Sequence, residues 1–298
     1  MLEIKKYAAI DIGSNAIRLL ISNIIIDKNK DPQFKKSSLV RVPIRLGADA
    51  FVSGIISRDN IDRMIDAMEA FKLLMKVHDV EQYKACATSA MREAENGAEI
   101  VTEIFNTTGI EIDVIDGKKE AAIIFSTDLS ELIDNDASYL YVDVGGGSTE
   151  FTIFSKGRII NSKSFKMGTV RLINNKKSKN KVIFKEVQYW VEANTKDLKK
   201  ISLIGSGGNI NRIFKMSGRT FGKPISYIYL NAQYQFLKQM SYKERISELS
   251  LNPDRADVII PATKIYLSAM KWSGARKIFV PKIGLADGII KNLFNGKL

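Results

Sequence analysis

Two stretches of the chain set an aspartate at the end of an apolar run and follow it with small residues. They are Ile10-Asp11-Ile12-Gly13-Ser14-Asn15 and Val142-Asp143-Val144-Gly145-Gly146-Gly147. Glycines in such a turn leave backbone N–H groups open to phosphate oxygens. The aspartate can hold a hard cation or its water. A third run, Gly205-Ser206-Gly207-Gly208, precedes a helical pattern whose N-terminus favours an anion. One turn of this kind would read as an ordinary hairpin; two matched copies and a third point to phosphate. Ser14, Asn15, Ser148 and Thr149 add hydroxyl and amide partners. Asp143 and Glu150 lie seven residues apart on strand-like runs joined by the glycine turn, so both carboxylates can reach one cleft. Arg92 follows a strand and a turn, where its guanidinium could clamp a phosphoryl oxygen through two bonds.

These residues need strands and helices to aim them. The patterns predict strands over Tyr7–Ile12, Ala16–Ile26 and Ser38–Leu46, then a helix over Ser57–Val77 with Ser57 as N-cap. A short strand over Tyr83–Ala87, a helix over Asn96–Thr107, a strand over Ile110–Ile115 and a helix over Lys118–Ile133 follow. Then the pattern restarts with strands over Tyr139–Val144, Ser148–Phe154 and Arg158–Phe165. A mobile loop is expected over Lys176–Lys181 and helices over Phe184–Leu198, Asn209–Met216, Ala232–Leu249 and Asp254–Trp272. Strands over Ile201–Ile204 and Lys277–Val280 and a helix over Leu285–Phe294 complete the second copy. The repeat implies two similar α/β domains facing each other, with a ligand in the cleft between them.

Composition narrows the chemistry. The 298 residues are 45% hydrophobic and 26% charged, ordinary for a globular protein, and a chain of this length favours two domains. The one cysteine, Cys86, excludes a disulfide framework and a zinc ribbon, and reads as core. The one histidine, His78, falls at a helix end and reads as a dipole partner, not a catalyst. No apolar run approaches the roughly 20 residues that span a bilayer. Met1–Lys6 leads straight into a strand without a signal-peptide core, so a cytoplasmic protein is expected. Of the net charge of +12, residues 156–223 carry 17 basic and 3 acidic side chains, against 28 and 30 elsewhere. That segment reads as a surface that collects a polyanion or simply as a solvated face. The Tyr227–Tyr234 aromatics read as core or interface, with no nucleic-acid motif around them.

The motifs together resemble the exopolyphosphatase and guanosine-pentaphosphate phosphohydrolase family, within the actin, sugar-kinase and heat-shock ATPase superfamily. Asp11-Ile12-Gly13-Ser14-Asn15 with Arg18 looks like its first motif, and Thr88-Ser89-Ala90-Met91-Arg92-Glu93-Ala94 its second. Asp143-Val144-Gly145-Gly146-Gly147-Ser148-Thr149-Glu150 resembles the third. Gly168 and Arg171 in Met167–Leu172, Gly205–Gly208 and Arg255-Ala256-Asp257 match further motifs of the family. The resemblance runs from about Tyr7 to Ile290 and is to the short form, without the helical C-terminal domain of longer members.

What the resemblance implies is an α/β fold of two actin-like (ribonuclease H-like) domains facing an interdomain cleft. Domain one would cover residues 1–125, with the helix at 285–298 packing back on it, and domain two residues 126–284. Glu120, in Gly117-Lys118-Lys119-Glu120-Ala121, matches the family's general base, although Lys119 replaces a glutamate and should lower the basicity of Glu120. Asp143 and Glu150 are implied Mg²⁺ ligands, with K⁺ a candidate activator. Asp11, Gly13, Ser14, Asn15, Arg18, Arg92, Gly145, Gly146, Gly147, Ser148, Thr149, Gly168, Arg171, Gly205, Ser206, Gly207 and Gly208 are implied phosphate-binding positions. Gly284-Leu285-Ala286-Asp287-Gly288 resembles a family motif in which Ala286 and Asp287 replace arginine and glutamate. The implied activity is Mg²⁺-dependent hydrolysis of the terminal phosphoanhydride of inorganic polyphosphate, releasing orthophosphate. Alternatives are hydrolysis of guanosine pentaphosphate or a nucleoside triphosphate, a non-catalytic polyphosphate or alarmone sensor, and a small-molecule kinase. The expected partners are polyphosphate or guanosine pentaphosphate and a second copy in a homodimer, with no membrane and no nucleic acid.

Overall fold

The computed structural model describes residues 2–127, 137–281 and 283–298. Their packing separates two units, Met1–Thr127 with Ile283–Leu298, and Asp128–Lys282. The first opens with β1 (Leu2–Ile12), β2 (Ile17–Asp27) and β3 (Lys30–Val42). Then come α1 (Leu46–Ala50), α2 (Arg58–Val77), β4 (Gln82–Ala87), α3 (Ser89–Glu93), α4 (Gly97–Thr108), β5 (Ile112–Val114) and α5 (Gly117–Phe125). The sheet runs β3-β2-β1-β4-β5, antiparallel through the first three strands and parallel across β1, β4 and β5. Strand alternation sends Ala8, Ile10, Ile12, Ile17, Leu19 and Ile21 to one face, where Met64, Met68 and Phe71 of α2 cover them.

The second unit repeats this with β6 (Ser138–Val144), β7 (Thr149–Ser155) and β8 (Arg158–Phe165), then α6 (Thr169–Asn174) and α7 (Lys177–Thr195). After them come β9 (Ile201–Ser206), α8 (Gly208–Met216), β10 (Ile225–Ser226), α9 (Tyr227–Gln239), α10 (Tyr242–Ser247), α11 (Pro253–Ala256), α12 (Ile259–Ser273) and β11 (Lys277–Phe279). Its sheet is β10-β11-β9-β6-β7-β8, so β8-β7-β6-β9-β11 has the order of the first sheet and β10 adds an antiparallel edge. The sequence repeat is thus a repeat of topology, and the fold is α/β with two units of the same strand order. Phe151, Phe165 and Trp190 stack edge to face at 5.6, 5.8 and 6.3 Å between centroids and fasten α7 to β7 and β8.

The chain then returns to the first unit. α13 (Leu285–Phe294) packs on β1 and α5. Phe294 meets Tyr7 and Phe34 at 6.3 and 5.6 Å. Asp287 accepts from the Gly284 N–H at 3.0 Å and pairs with Lys36 at 2.7 Å, so the shorter acid still caps the helix. None of the described helices is long and apolar enough to cross a membrane.

Several elements depart from the sequence reading. β3 spans Lys30–Val42, not Ser38–Leu46; its first eight residues are exposed, so backbone pairing with β2 holds them and no apolar alternation marks them. Leu46 starts α1 instead. The expected loop over Lys176–Lys181 is the first turns of α7; lysine is a good helix former, and the Asn180 side chain ties them to the Leu172 carbonyl at 2.8 Å. The single helix expected over Ala232–Leu249 breaks at Ser241, which with Glu244 forms a capping box. The helix expected over Asp254–Trp272 restarts as α12, because Pro261 has no N–H for the Asp257 carbonyl four residues back. Ser57 stands at the N-cap of α2, but its hydroxyl donates to Asp49 at 2.6 Å. The end of the helix expected over Lys118–Ile133 lies beyond α5, and residues 128–133 are outside the described residues.

Gly288 of α13 lies against α5: a Cβ there would sit 2.1 Å from the Ile123 carbonyl oxygen. Gly288→Ala must therefore push the helices apart, a loss of about 3 kcal/mol at over-packed contacts. Thermal unfolding should show a midpoint lowered by roughly 6–12 °C for a chain of this size; an unchanged midpoint would mean that α13 adds little to the first unit.

Candidate functional site

Each unit carries one hairpin of the same build. In the first, Gly13 N–H donates to the Ala16 carbonyl at 3.2 Å; in the second, Gly145 N–H donates to the Ser148 carbonyl at 3.0 Å. The helix that follows the third strand then takes up the carbonyls of the turn. Thr169 N–H bonds the Gly145 oxygen at 3.0 Å, and Val170 and Arg171 N–H bond the Gly146 oxygen at 2.9 and 3.2 Å. The Arg171 Nε adds a bond to the Gly147 oxygen at 2.9 Å. In the first unit Gly47 N–H bonds the Ser14 oxygen at 2.7 Å and Arg45 N–H the Asn15 oxygen at 3.1 Å. The first turn of a helix has N–H groups without intrahelical partners, and here the hairpin supplies them.

This seating aims the opposite edge of each turn. All described peptides are trans, so each N–H points against the carbonyl of its own peptide plane. With the Gly145, Gly146 and Gly147 carbonyls turned onto α6, the N–H groups of Gly146, Gly147 and Ser148 point away from it. The same holds for Asn15 and Ala16 relative to α1. Successive N–H groups on one side make an anion-binding concavity. Close approach requires glycine beneath: a Cβ on Gly168 would lie 2.2 Å from the Gly146 oxygen, and one on Gly47 would lie 3.0 Å from the Ser14 Cβ.

The two hairpins differ in charge at matched positions. Asp11 pairs across the sheet with Arg18, and Arg18 with Arg41. Asp143 pairs with Glu150, and Glu150 with Ser164. Directly opposed residues share a face. In the first unit the Arg18 guanidinium therefore grips the buried Asp11 carboxylate at 2.6 Å. In the second, two carboxylates stand side by side, and the Glu150 Oε1 accepts from Ser148 at 2.7 Å and Ser164 at 2.9 Å. That pair has the oxygen chemistry of a hard-cation site.

Asp143 is also matched with Ser206 on β9, and Gly207 next to it has φ +112°, a conformation that favours glycine. A Cβ on Gly207 would come within 3.4 Å of the Asp143 carboxylate, and one on Gly208 within 3.1 Å of the Arg255 guanidinium. Burial, and then the Asp143 charge, push the Tyr141 and Tyr266 phenols well above their usual pKa.

In the first unit a second group forms where β4 and β5 end. Ser14 and Ser89 hydroxyls meet at 3.1 Å. Arg92 donates through Nη1 to the Ile115 carbonyl, which brings it beside the start of α5. Asp116 caps that helix by accepting from the Lys119 N–H at 2.7 Å, a bond that also holds its carboxyl below the usual range. Glu120, half-buried, follows in the first turn. The Lys119 ammonium is held by Asp113 at 2.7 Å, which raises its pKa. Asp113 thus takes up the charge expected to weaken Glu120.

The Thr149 hydroxyl is fully buried on the Met167 carbonyl and braces the turn, and the Arg171 Nε bonds the same turn. Cys86 is buried beside Asp11, and burial pushes its thiol to about 12, which leaves no thiolate at neutral pH. Sequence reasoning missed Arg45, Gly47, Ser164 and Tyr266. Leu46-Gly47 could have been found, since it repeats Met167-Gly168 after the third strand of each copy. Ser164 is visible only through register, and Tyr266 only through packing.

A model of the Ppx/GppA phosphatase family matches residues 25–295. The chain is 31% identical to the bifunctional 3-dehydroquinate synthase/phosphatase of Fusobacterium nucleatum, over 92% of this chain and 44% of that protein, so it spans less than half of that relative. It is 25% identical to exopolyphosphatase 2 of Mycobacterium tuberculosis, over 97% of this chain and 98% of that one. Among solved structures, an exopolyphosphatase from Cytophaga hutchinsonii superposes with a TM-score of 0.86 at 25% identity, covering 98% of each chain.

Proposed function

The chain belongs to the Ppx/GppA phosphatase family, and from that premise we propose that it is a cytoplasmic exopolyphosphatase, cleaving the terminal phosphoanhydride of inorganic polyphosphate to release orthophosphate. The observation that carries the reading is the second hairpin. Its N–H groups at Gly146, Gly147 and Ser148 point away from α6, and the Asp143–Glu150 pair stands beside them.

A divalent cation fits that pair. Mg²⁺ is commonly held by one or two carboxylates, with waters and substrate phosphates for the rest of its shell. Asp143 and Glu150 would hold it, and when bound it supplies charge neutralisation on the phosphate oxygens.

The chain's own groups do the rest. The turn N–H groups bind the terminal phosphate oxygens. Arg92, with one donor on the Ile115 carbonyl, offers its remaining donors to the phosphoryl group. Glu120 orients a water and accepts its proton as the water oxygen bonds the terminal phosphorus. The bridging P–O bond breaks, and its electrons leave with the shortened chain. Guanosine pentaphosphate presents the same kind of terminal bond, so the assay needs both substrates.

Phosphate release with Mg²⁺ and either substrate tests the activity; no release from both would leave a sensor. Glu120→Gln should cut turnover by about 10²–10⁴-fold while substrate still binds, the range for a lost general base. Near-normal turnover would remove Glu120 from that role. Asp143→Asn should raise the Mg²⁺ concentration needed for half-maximal rate, because a hard-oxygen charge leaves the shell. An unchanged Mg²⁺ titration would put the metal elsewhere.

A further inference from the structure

The parallel register of β6 and β9 ends at Asp143 and Ser206. Beyond that rung the two strands part, one into Gly145–Gly147 and the other into Gly207–Gly208. Tyr266 of α12, fully buried, places its hydroxyl at the fork. It donates to the Ser206 carbonyl, and it faces the Val144 carbonyl across the Cβ slot of Gly207. One hydroxyl therefore ties α12 to the end of β9 at the point where β9 leaves β6.

There is little slack around it. The Cβ slot of Gly207 is bounded by the Val144 carbonyl at 3.0 Å, the Asp143 carboxylate at 3.4 Å and the Tyr266 hydroxyl at 3.5 Å. The bond to the Ser206 carbonyl also fixes that peptide plane, and with it the direction of the Gly207 N–H. Without the hydroxyl, the buried Ser206 carbonyl loses this partner. Its peptide plane can then turn, which shifts Gly207 against Asp143.

We propose that Tyr266 is a positioning residue that sets the spacing between the Gly145–Gly147 and Gly205–Gly208 turns, and so the fit of consecutive phosphates on the second unit. This rests on the phosphoanhydride reading above. Nothing in the sequence marks Tyr266, which sits in an apolar helix like any core aromatic.

The test compares Tyr266→Phe with Tyr139→Phe, a buried phenol on β6 four residues before Asp143 whose ring packs on Phe279. Both variants keep the ring and should fold. Binding of tripolyphosphate is measured by calorimetry without divalent cations, and turnover with Mg²⁺. Tyr266→Phe should weaken binding about tenfold, the effect of one buried hydrogen-bond partner, and lower kcat/KM at least as much. Tyr139→Phe should stay within about threefold in both, even where its melting midpoint falls equally. Equal losses in the two variants, or no change in Tyr266→Phe, would overturn the proposal. A wild-type chain that binds tripolyphosphate but releases no phosphate would sink the proposed activity and leave the binding comparison to decide Tyr266. A wild-type chain that does not bind it would overturn both.

Discussion

The site depends on how a hairpin sits on a helix. A helix start has N–H groups that need acceptors, and a tight turn has carbonyls that need donors. In the second unit the start of α6 and the Gly145–Gly147 turn satisfy each other, and α1 and the first hairpin do likewise. Each such bond adds only about 1 kcal/mol net, but breaking one leaves a buried group unsatisfied at greater cost. Peptide planarity then converts a packing contact into a ligand-facing row of N–H groups. The glycines follow from the same contact: Gly168 lets α6 come close enough, and Gly207 lets Asp143 keep its place.

On this shared frame the two copies have taken different charges. Arg18 stands where Glu150 does, so the first hairpin neutralises its aspartate internally and the second keeps two carboxylates together. The hydroxyls of Ser148 and Ser164 that donate to Glu150 offset part of the cost of burying its carboxylate. Phosphoryl transfer needs positive charge against developing negative charge, and little covalent help from the protein. A repeated hairpin with one partner exchanged therefore keeps two carboxylates together in one unit only, the pair proposed to hold the cation.

Much of this was legible because glycine and aspartate declare themselves. The turns at Gly13 and Gly145, the restart after the first copy and the strand pairs that flank each turn all follow from residue type and spacing. What stayed hidden depends on partners distant in sequence. β3 is an edge strand held by backbone bonds, so its exposed lysines look like loop. Lys119 seems from sequence to threaten Glu120, yet it reaches Asp113 across the end of β5. Thr149 reads as a ligand hydroxyl until the fold turns it onto the Met167 carbonyl.

The central claim is that the N–H groups opposite α6 take the phosphate oxygens. Amide ¹⁵N chemical shifts of the deuterated protein, followed as tripolyphosphate is added with Mg²⁺, test it residue by residue. The account predicts the largest shifts of the second unit at Gly146, Gly147 and Ser148. If those three amides stay still while orthophosphate is released, the account is contradicted, and phosphate is held somewhere other than the hairpin that α6 supports.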